Sequence, residues 1–295
     1  MNPQPSLPLP EPRLPLFGMP VYDLTWEGAL SYVNELASLP LGPTHMAFLN
    51  ANNANLMMCD PDYRKALART VLLPDGIGVD LASRLLNGEW FIANLNGTDF
   101  IPAMLSYMDT PRRIGLIGGR ADVLARAAVN FRRHAPWHEF VEISDGFFDK
   151  TNCAGVLDDL KAARIDILLV ALGTPLQEIW IDRNIRPEHA RLVIGVGALF
   201  DFVSGEVPRA PLWMRHIRCE WVYRLWLEPK RLWYRYIVGI PVFLGHVARF
   251  KLFGPPRHAA GEDPLSKGRR RTDNRVGPRS RHAATRQEPT SRRYS

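Results

Sequence analysis

Leu72-Leu73-Pro74-Asp75-Gly76-Ile77-Gly78-Val79, continued by Asp80-Leu81-Ala82-Ser83-Arg84-Leu85-Leu86, decides how the rest of the chain is read. Two apolar residues run into a proline and a carboxylate, a Gly-x-Gly follows, and apolar residues then recur at helical spacing. The pattern predicts a buried strand ending at Pro74, a turn with glycine at its strained positions, and an amphipathic helix over 79–87. Such a unit sets Asp75 at the carboxyl end of a strand beside a helix N-terminus. Open α/β sheets bind ligands there, and free backbone N–H groups meet phosphate there. A plainer reading stands beside this one, in which Asp75 only caps the helix and the glycines only serve the turn. A short Gly-rich turn does not separate the two.

Working upstream, Thr44 to Asn50 is a short apolar run ending in Asn, hence a strand. Four Asn fall among residues 50–55; amides at a strand tip suit hydroxyl-rich or nucleotide ligands, and capping is the alternative. Residues 60–70 read as a helix with acidic residues early and basic ones late. Thr25 N-caps a further helix, 26–39, which Pro40-Leu41-Gly42-Pro43 breaks. Working downstream, the polar connection Asn94-Leu95-Asn96-Gly97-Thr98-Asp99 leads into a helix over 100–108. Arg113 to Gly118 is a strand entering a Gly118-Gly119 turn, followed by a helix from Ala121 to His134. The full G-x-G-x-x-G spacing is absent, which disfavours an NAD-dependent oxidoreductase. A strand over 139–143, a turn at 144–148 and a helix over 153–163 come next. Asp166 to Leu172 is a continuous apolar run, as expected of a central parallel strand buried on both faces. It delivers Gly173-Thr174-Pro175-Leu176-Gln177-Glu178. Arg191 to Ala198 is one more strand and Gly turn, leading to Phe200-Asp201. Strands alternating with helices predict an α/β, Rossmann-like, mostly parallel sheet with helices on both faces. Its strand tips lie near Asn50, Asp75, Gly118, Gly173 and Gly197.

Charge divides the chain unevenly. Residues 1–208 carry 17 Lys and Arg against 24 Asp and Glu, residues 209–256 carry 9 against 2, and residues 257–295 carry 11 against 4. An acidic body with a basic final third is built to meet an anion: phosphate, a lipid headgroup or nucleic acid. Four of the eight tryptophans, Trp213, Trp221, Trp226 and Trp233, lie in the middle segment. Rings and guanidiniums at helical spacing, as in Trp221-x-x-Arg224-x-Trp226 and Arg231-x-Trp233-x-Arg235, suit an anionic membrane surface. The alternative is a helical pair packed on the sheet with a solvated basic face. Residues 1–15 hold six prolines and read as a disordered lead-in, and the Arg-rich stretch 254–295 as a disordered basic tail. Three scattered cysteines (Cys59, Cys153, Cys219) show no metal or redox spacing, and no run of about 18 apolar residues or leader pattern is apparent. A nucleic-acid- or anion-binding module with a basic tail is the competing class, although the aromatic residues sit outside that tail.

Five motifs occur in one order: Pro74-Asp75-Gly76-Ile77-Gly78, Ala171-Leu172-Gly173-Thr174-Pro175-Leu176-Gln177-Glu178, Gly195-Val196-Gly197-x-x-Phe200-Asp201, Pro208-Arg209-Ala210-Pro211, and Glu220-Trp221-x-Tyr223-Arg224-Leu225-x-x-Glu228-Pro229-x-Arg231. With them the chain resembles the WecG/TagA/CpsF family of bacterial inverting glycosyltransferases over about residues 16–250. The resemblance implies a metal-independent transferase that needs no cofactor. It would move a hexose or N-acetylhexosamine from a UDP-sugar donor onto a polyprenyl-diphosphate-linked saccharide, in surface or exopolysaccharide synthesis. It implies work at the cytoplasmic face of the plasma membrane, as a peripheral protein and with no nucleic-acid partner. A Rossmann-like core at 16–204 would be followed by a membrane-contacting appendage at 205–253. Asp75 matches the position taken as general base, and Arg209, Arg224 and Arg231 match basic positions of the appendage expected on the diphosphate. Substrate-binding positions are expected at Asn50, Asn52, Gly76, Asn96, Asp99, Gly118, Gly173, Gln177, Gly197 and Asp201. One departure bears on donor and acceptor geometry: some members carry Thr two residues before the Asn that Asn50 matches, and here that position is Phe48. Neither the donor sugar nor the oligomeric state follows from the sequence.

Overall fold

Short apolar strands separated by amphipathic helices can bury both faces of a sheet only if the helices divide between them. The computed structural model, which describes residues 14–39, 42–211, 213–214 and 220–254, does this. The strands are β1 (Thr44–Leu49), β2 (Thr70–Pro74), β3 (Arg113–Gly118), β4 (Glu139–Ser144), β5 (Ile167–Ala171) and β6 (Leu192–Gly195). They form one sheet in the order β2-β1-β6-β5-β3-β4, and every pairing is parallel. The chain order reverses between β3, which sends the chain outward to β4, and β5, which sends it back toward β6.

Alternation along each strand assigns the faces. Met46, Phe48, Leu73, Ile114, Leu116, Ile167, Leu169, Leu192 and Ile194 enter one core with helices α1 (Trp26–Ser38), α5 (Gly97–Tyr107), α6 (Ala121–His134) and α9 (Leu199–Val203). The intervening residues point the other way. Ala47, Leu49 and Leu72 meet α2 (Ala51–Cys59), α3 (Pro61–Leu67) and α4 (Ile77–Leu86), whereas Ile117, Leu168, Val170 and Val193 meet α7 (Ala154–Ala163) and α8 (Leu176–Asn184). The predicted strands and helices are thus all present. Two helices start earlier than their apolar pattern suggests, because caps lie upstream: Gly76 precedes α4, and the Asn96 side chain accepts the Asp99 N–H at the head of α5.

The carboxyl-terminal part consists of α10 (Glu220–Leu227), α11 (Pro229–Trp233), a π-helical turn (Tyr234–Val238) and α12 (Gly239–Phe253). Residues 229–253 make one helix that is long and apolar enough, by length and composition alone, to cross a membrane, although charged residues interrupt it and no unbroken run of about 18 apolar residues occurs. This helix lies against the core instead of standing free of it. Phe243 and Val247 are buried with residues of α2 and α4. Phe17 packs edge-on against Phe243 and Phe250, with ring centroids 5.9 and 5.6 Å apart. Phe17 holds a left-handed backbone, φ +51°, a conformation that costs an aromatic residue about 1–3 kcal/mol and persists only where packing enforces it. Arg64 donates to the Phe17 carbonyl at 2.9 Å, and the Tyr22 N–H donates to Leu72 O beside the edge strand β2. Of the expected lead-in only Leu14 and Pro15 are described, and Leu14 is buried. The rest of it and the tail beyond Gly254 lie outside the described residues.

Candidate functional site

All six strands end on one edge of the sheet, and a cavity of about 680 Å³ opens above them. The segments after all six strands line it, β4 contributing Gly146 and Phe147. Asn50 follows β1 and Asp75 follows β2. Gly119 and Arg120 follow β3, Leu172 to Thr174 follow β5, and Val196 to Ala198 follow β6. Asp201 and Phe202 of α9 line it as well, together with Arg224, Arg231 and Arg235 of the carboxyl-terminal helices. A second cavity of about 360 Å³ shares Asn50, Asn52, Asp75, Thr98, Phe202, Arg224 and Arg235 with the first. Its other lining is mostly apolar: Ile77 and Leu81 of α4, Trp221, Tyr236, and Ile240, Phe243 and Leu244 of α12. Asp75 therefore stands in the wall between a polar chamber and an apolar one.

The local sequence explains the position of that carboxylate. Asp75 N–H donates to Leu49 O at 2.9 Å, which keeps the residue in line with β1 after β2 has ended. Gly76, at φ +89°, turns the chain through a left-handed conformation that a side chain resists, and its N–H is taken by Asn94 Oδ1 at 2.7 Å. Gly76 is the cap residue of α4, so the carboxylate of Asp75 is not spent on capping. Asn50 divides its amide instead: Oδ1 accepts the Asn53 N–H, capping α2, and Nδ2 donates to Asp75 Oδ2 at 3.2 Å.

Burial pushes the Asp75 carboxyl above its ordinary range; Asn50, Arg235 and Arg224 oppose that rise, and Asp99 adds to it. A raised carboxylate is a stronger base, and the basic form is lost as pH falls through the raised value. The acid limb of kcat/KM should therefore sit above the ordinary aspartate range. Asn50→Ala, which removes the hydrogen bond that favours the ionised form, should move that limb to higher pH. A pH–rate profile of the two proteins measures both shifts.

The arginines sit in unlike environments. Arg224 lies 5.2 Å over the Phe202 ring. Arg235 is deep enough that burial lowers its proton affinity, and its Nε has no hydrogen-bond partner among the described residues. Arg231 pairs with Glu228 and lowers the proton affinity of Asp201, which burial otherwise raises. Arg209 lies outside both cavities, contrary to expectation. It donates to Asp99 Oδ1 at 2.6 Å and Thr98 O at 3.2 Å and pairs with Glu220 at 3.4 Å, joining the head of α5 to α10. Its guanidinium is committed to carboxylates at half-buried positions.

The remaining expected residues divide between the chambers. Asn50, Asn52, Asp75, Gly173, Gln177, Gly197, Asp201, Arg224 and Arg231 line the larger one; Gly76, Asn96 and Asp99 line the smaller. Gly118 lines neither, a second correction. It is buried at the end of β3, where a Cβ would lie 2.3 Å from Ala171 O, and Gly119 is the residue that reaches the cavity. Gln177 is buried and acts locally: Oε1 accepts the Gly197 N–H at 3.1 Å and Nε2 donates to Glu178 Oε1 at 2.7 Å. It shapes the turn after β6, so Gln177→Ala should weaken the binding of a ligand seated over that turn without unfolding the protein, which ligand titration of the folded variant would read. Phe48 fills its position with a ring against Gly97 and Phe100, so no hydroxyl is supplied there.

Sequence reading missed Arg235. A partial signal was available, since 231 and 235 are four apart in a continuous helical stretch, whereas Arg224 lies on the preceding helix beyond the break at Glu228. Phe202 and Thr98 carried no comparable signal.

Residues 14–256 match the glycosyl transferase WecG/TagA/CpsF family. A similar protein from Bacillus spizizenii, an N-acetylglucosaminyldiphosphoundecaprenol N-acetyl-beta-D-mannosaminyltransferase, is 30% identical over 237 residues, 79% of this chain and 90% of that protein. A protein of the same name from Bacillus subtilis (strain 168) is 37% identical over 188 residues, 62% of this chain and 71% of that one.

Proposed function

The chain belongs to the WecG/TagA/CpsF family of glycosyl transferases, and on that premise we propose that it moves an N-acetylhexosamine from a UDP-sugar onto a polyprenyl-diphosphate-linked saccharide, with inversion, at a membrane surface. The observation that carries this reading is the position of Asp75 in the wall shared by the polar and apolar chambers. The donor would occupy the larger chamber, over the Gly173 and Gly197 turns. The acceptor would enter through the smaller one, its lipid end against Ile240, Phe243 and Leu244. Asp75 takes the proton of the acceptor hydroxyl as that oxygen attacks the anomeric carbon; the bond to the nucleoside diphosphate breaks on the opposite face of the sugar. Charge gathering on the departing diphosphate is met by Arg224, Arg231 and Arg235. Asn52, Asn96 and Asp99 are polar groups of the two chambers able to bond sugar hydroxyls.

We assign 205–253 to membrane contact on its ring and arginine content. Trp226, Tyr234, Ile237, Leu252 and Phe253 are exposed there, a composition suited to headgroup depth. The test is a panel of UDP-sugars, UDP-N-acetylmannosamine among them, offered with a prenyl-diphosphate-linked N-acetylglucosamine. Release of UDP with a β-linked disaccharide from one donor is expected. Failure of every UDP-sugar to react overturns the proposal, and a retained anomeric configuration overturns the single-base mechanism.

A further inference from the structure

Helix α4 exposes a surface unlike the other helices of the core. On α6 the exposed positions include Asp122, Arg126, Arg132 and Arg133, and on α7 they include Asp158, Asp159 and Lys161, as water-facing helices require. The exposed residues of α4 are Ile77, Leu81, Arg84 and Leu85, three large apolar side chains and one cation. The apolar ones recur at intervals of four, a single stripe, while Val79 and Ala82 on the opposite face are buried in the core. Beyond the helix, Trp90 and Ile92 are each about half exposed. Arg84 bends to the Gly88 carbonyl, and the Ile92 N–H is held by Asp23 at 2.8 Å, so the loop is fixed with its apolar side chains outward.

We propose that this face, Ile77, Leu81 and Leu85 with Trp90 and Ile92, docks on a phospholipid bilayer, so that the core itself and not only the carboxyl-terminal helices meets the membrane. The inference rests on the membrane reading of 205–253 given above and extends it to a different element. Continuity favours a bilayer over a protein partner. α4 packs on α12, and Leu81 of one and Leu244 of the other line the same apolar cavity. Val242 and Leu244 carry the exposed apolar surface onward along α12. The cavity that would take the lipid-linked acceptor thus opens between two apolar helices. A bilayer against both lets a prenyl chain enter without crossing water. Arg84 adds a cation at the rim, where lipid phosphate is met.

The experiment uses the full chain and vesicles of equal parts phosphatidylglycerol and phosphatidylethanolamine. Leu85 and Ile92 line neither cavity, so Leu85→Glu combined with Ile92→Glu should leave turnover on a short-chain, water-soluble acceptor within about twofold. The same pair should weaken vesicle co-sedimentation about tenfold, since two carboxylates replace two apolar groups at the interface. Trp226→Glu on α10 serves as the parallel probe of the appendage. If Trp226→Glu weakens binding and the α4 pair does not, the present inference falls and the appendage reading stands. If the unaltered protein does not bind vesicles, both fall. If the pair changes only the sedimentation coefficient, from dimer to monomer, the face belongs to a second copy of the chain and the inference is overturned. Hydrogen exchange on the unaltered protein gives a reading independent of any substitution: vesicles should slow exchange across 77–92, and unchanged exchange there overturns the proposal.

Discussion

Asp75→Asn is expected to lower kcat about 10²–10⁴-fold, the range associated with removing a general base. The amide keeps the size of the side chain and can still meet Asn50 after a flip, so the walls of both chambers persist. Donor affinity, measured as UDP binding, should change little. Stability supplies the control. Burial raises the proton affinity of Asp75, so the folded protein disfavours the ionised form, and the resulting cost to stability grows as pH rises through the raised value. The asparagine variant does not incur that cost. It should melt at or above the parent at pH 8 and lose any advantage near pH 4, which separates chemistry from misfolding. Turnover near that of the parent would remove Asp75 from the role of base.

Arg235→Ala should have the next largest effect, a fall in kcat of about 10²–10³-fold, as when one donor to a developing anion is lost. Arg235 lines both chambers and makes no ion pair with a carboxylate among the described residues, so its cation is available to a ligand. Arg209 provides the contrast. It is bound to Asp99 and Glu220, two carboxylates at the edge of the smaller cavity, without lining either cavity itself, so Arg209→Ala should act through stability and the seating of α10, with a lower melting temperature as the readout. Arg235→Lys keeps a charge without the planar fork and should recover only part of the loss. Equal kinetic defects for Arg209→Ala and Arg235→Ala, both well folded, would show that the cavity walls do not distinguish these cations.

The legible part of the molecule was its parallel sheet. Continuous apolar runs such as Ile167 to Ala171 fit a strand buried on both faces, and glycine with asparagine marked the tips. The apposition of Asn50 and Asp75, 25 residues apart, depends on β1 pairing with β2, and the register Leu49 to Pro74 is a tertiary fact. Gly118 and Gly119 are alike on paper; only the packing against Ala171 shows which one faces the cavity. The same limit applied to Arg209. A basic residue in a basic segment looks like an anion ligand until its carboxylate partners are brought to it from residues 99 and 220. Helix 229–253 is interrupted by charged residues near both ends, so its apolar character shows only as an average over its length, and only Leu232, Phe243 and Val247 of it are buried.

The clasp at Phe17 has a consequence for how the enzyme can move. A residue near the start of the chain, held in a strained backbone, wedges its ring between Phe243 and Phe250 near the far end of the described chain. The two extremities are thereby latched over the same patch of α2 and α4. Swinging the last helix outward as a flap would withdraw that wedge, break two ring contacts worth about 0.5–1.5 kcal/mol each, and wet the buried rings of Phe17 and Phe243. That cost favours a stationary last helix, so substrate and product are expected to pass with the loops and side chains of the cavity yielding before the helix does.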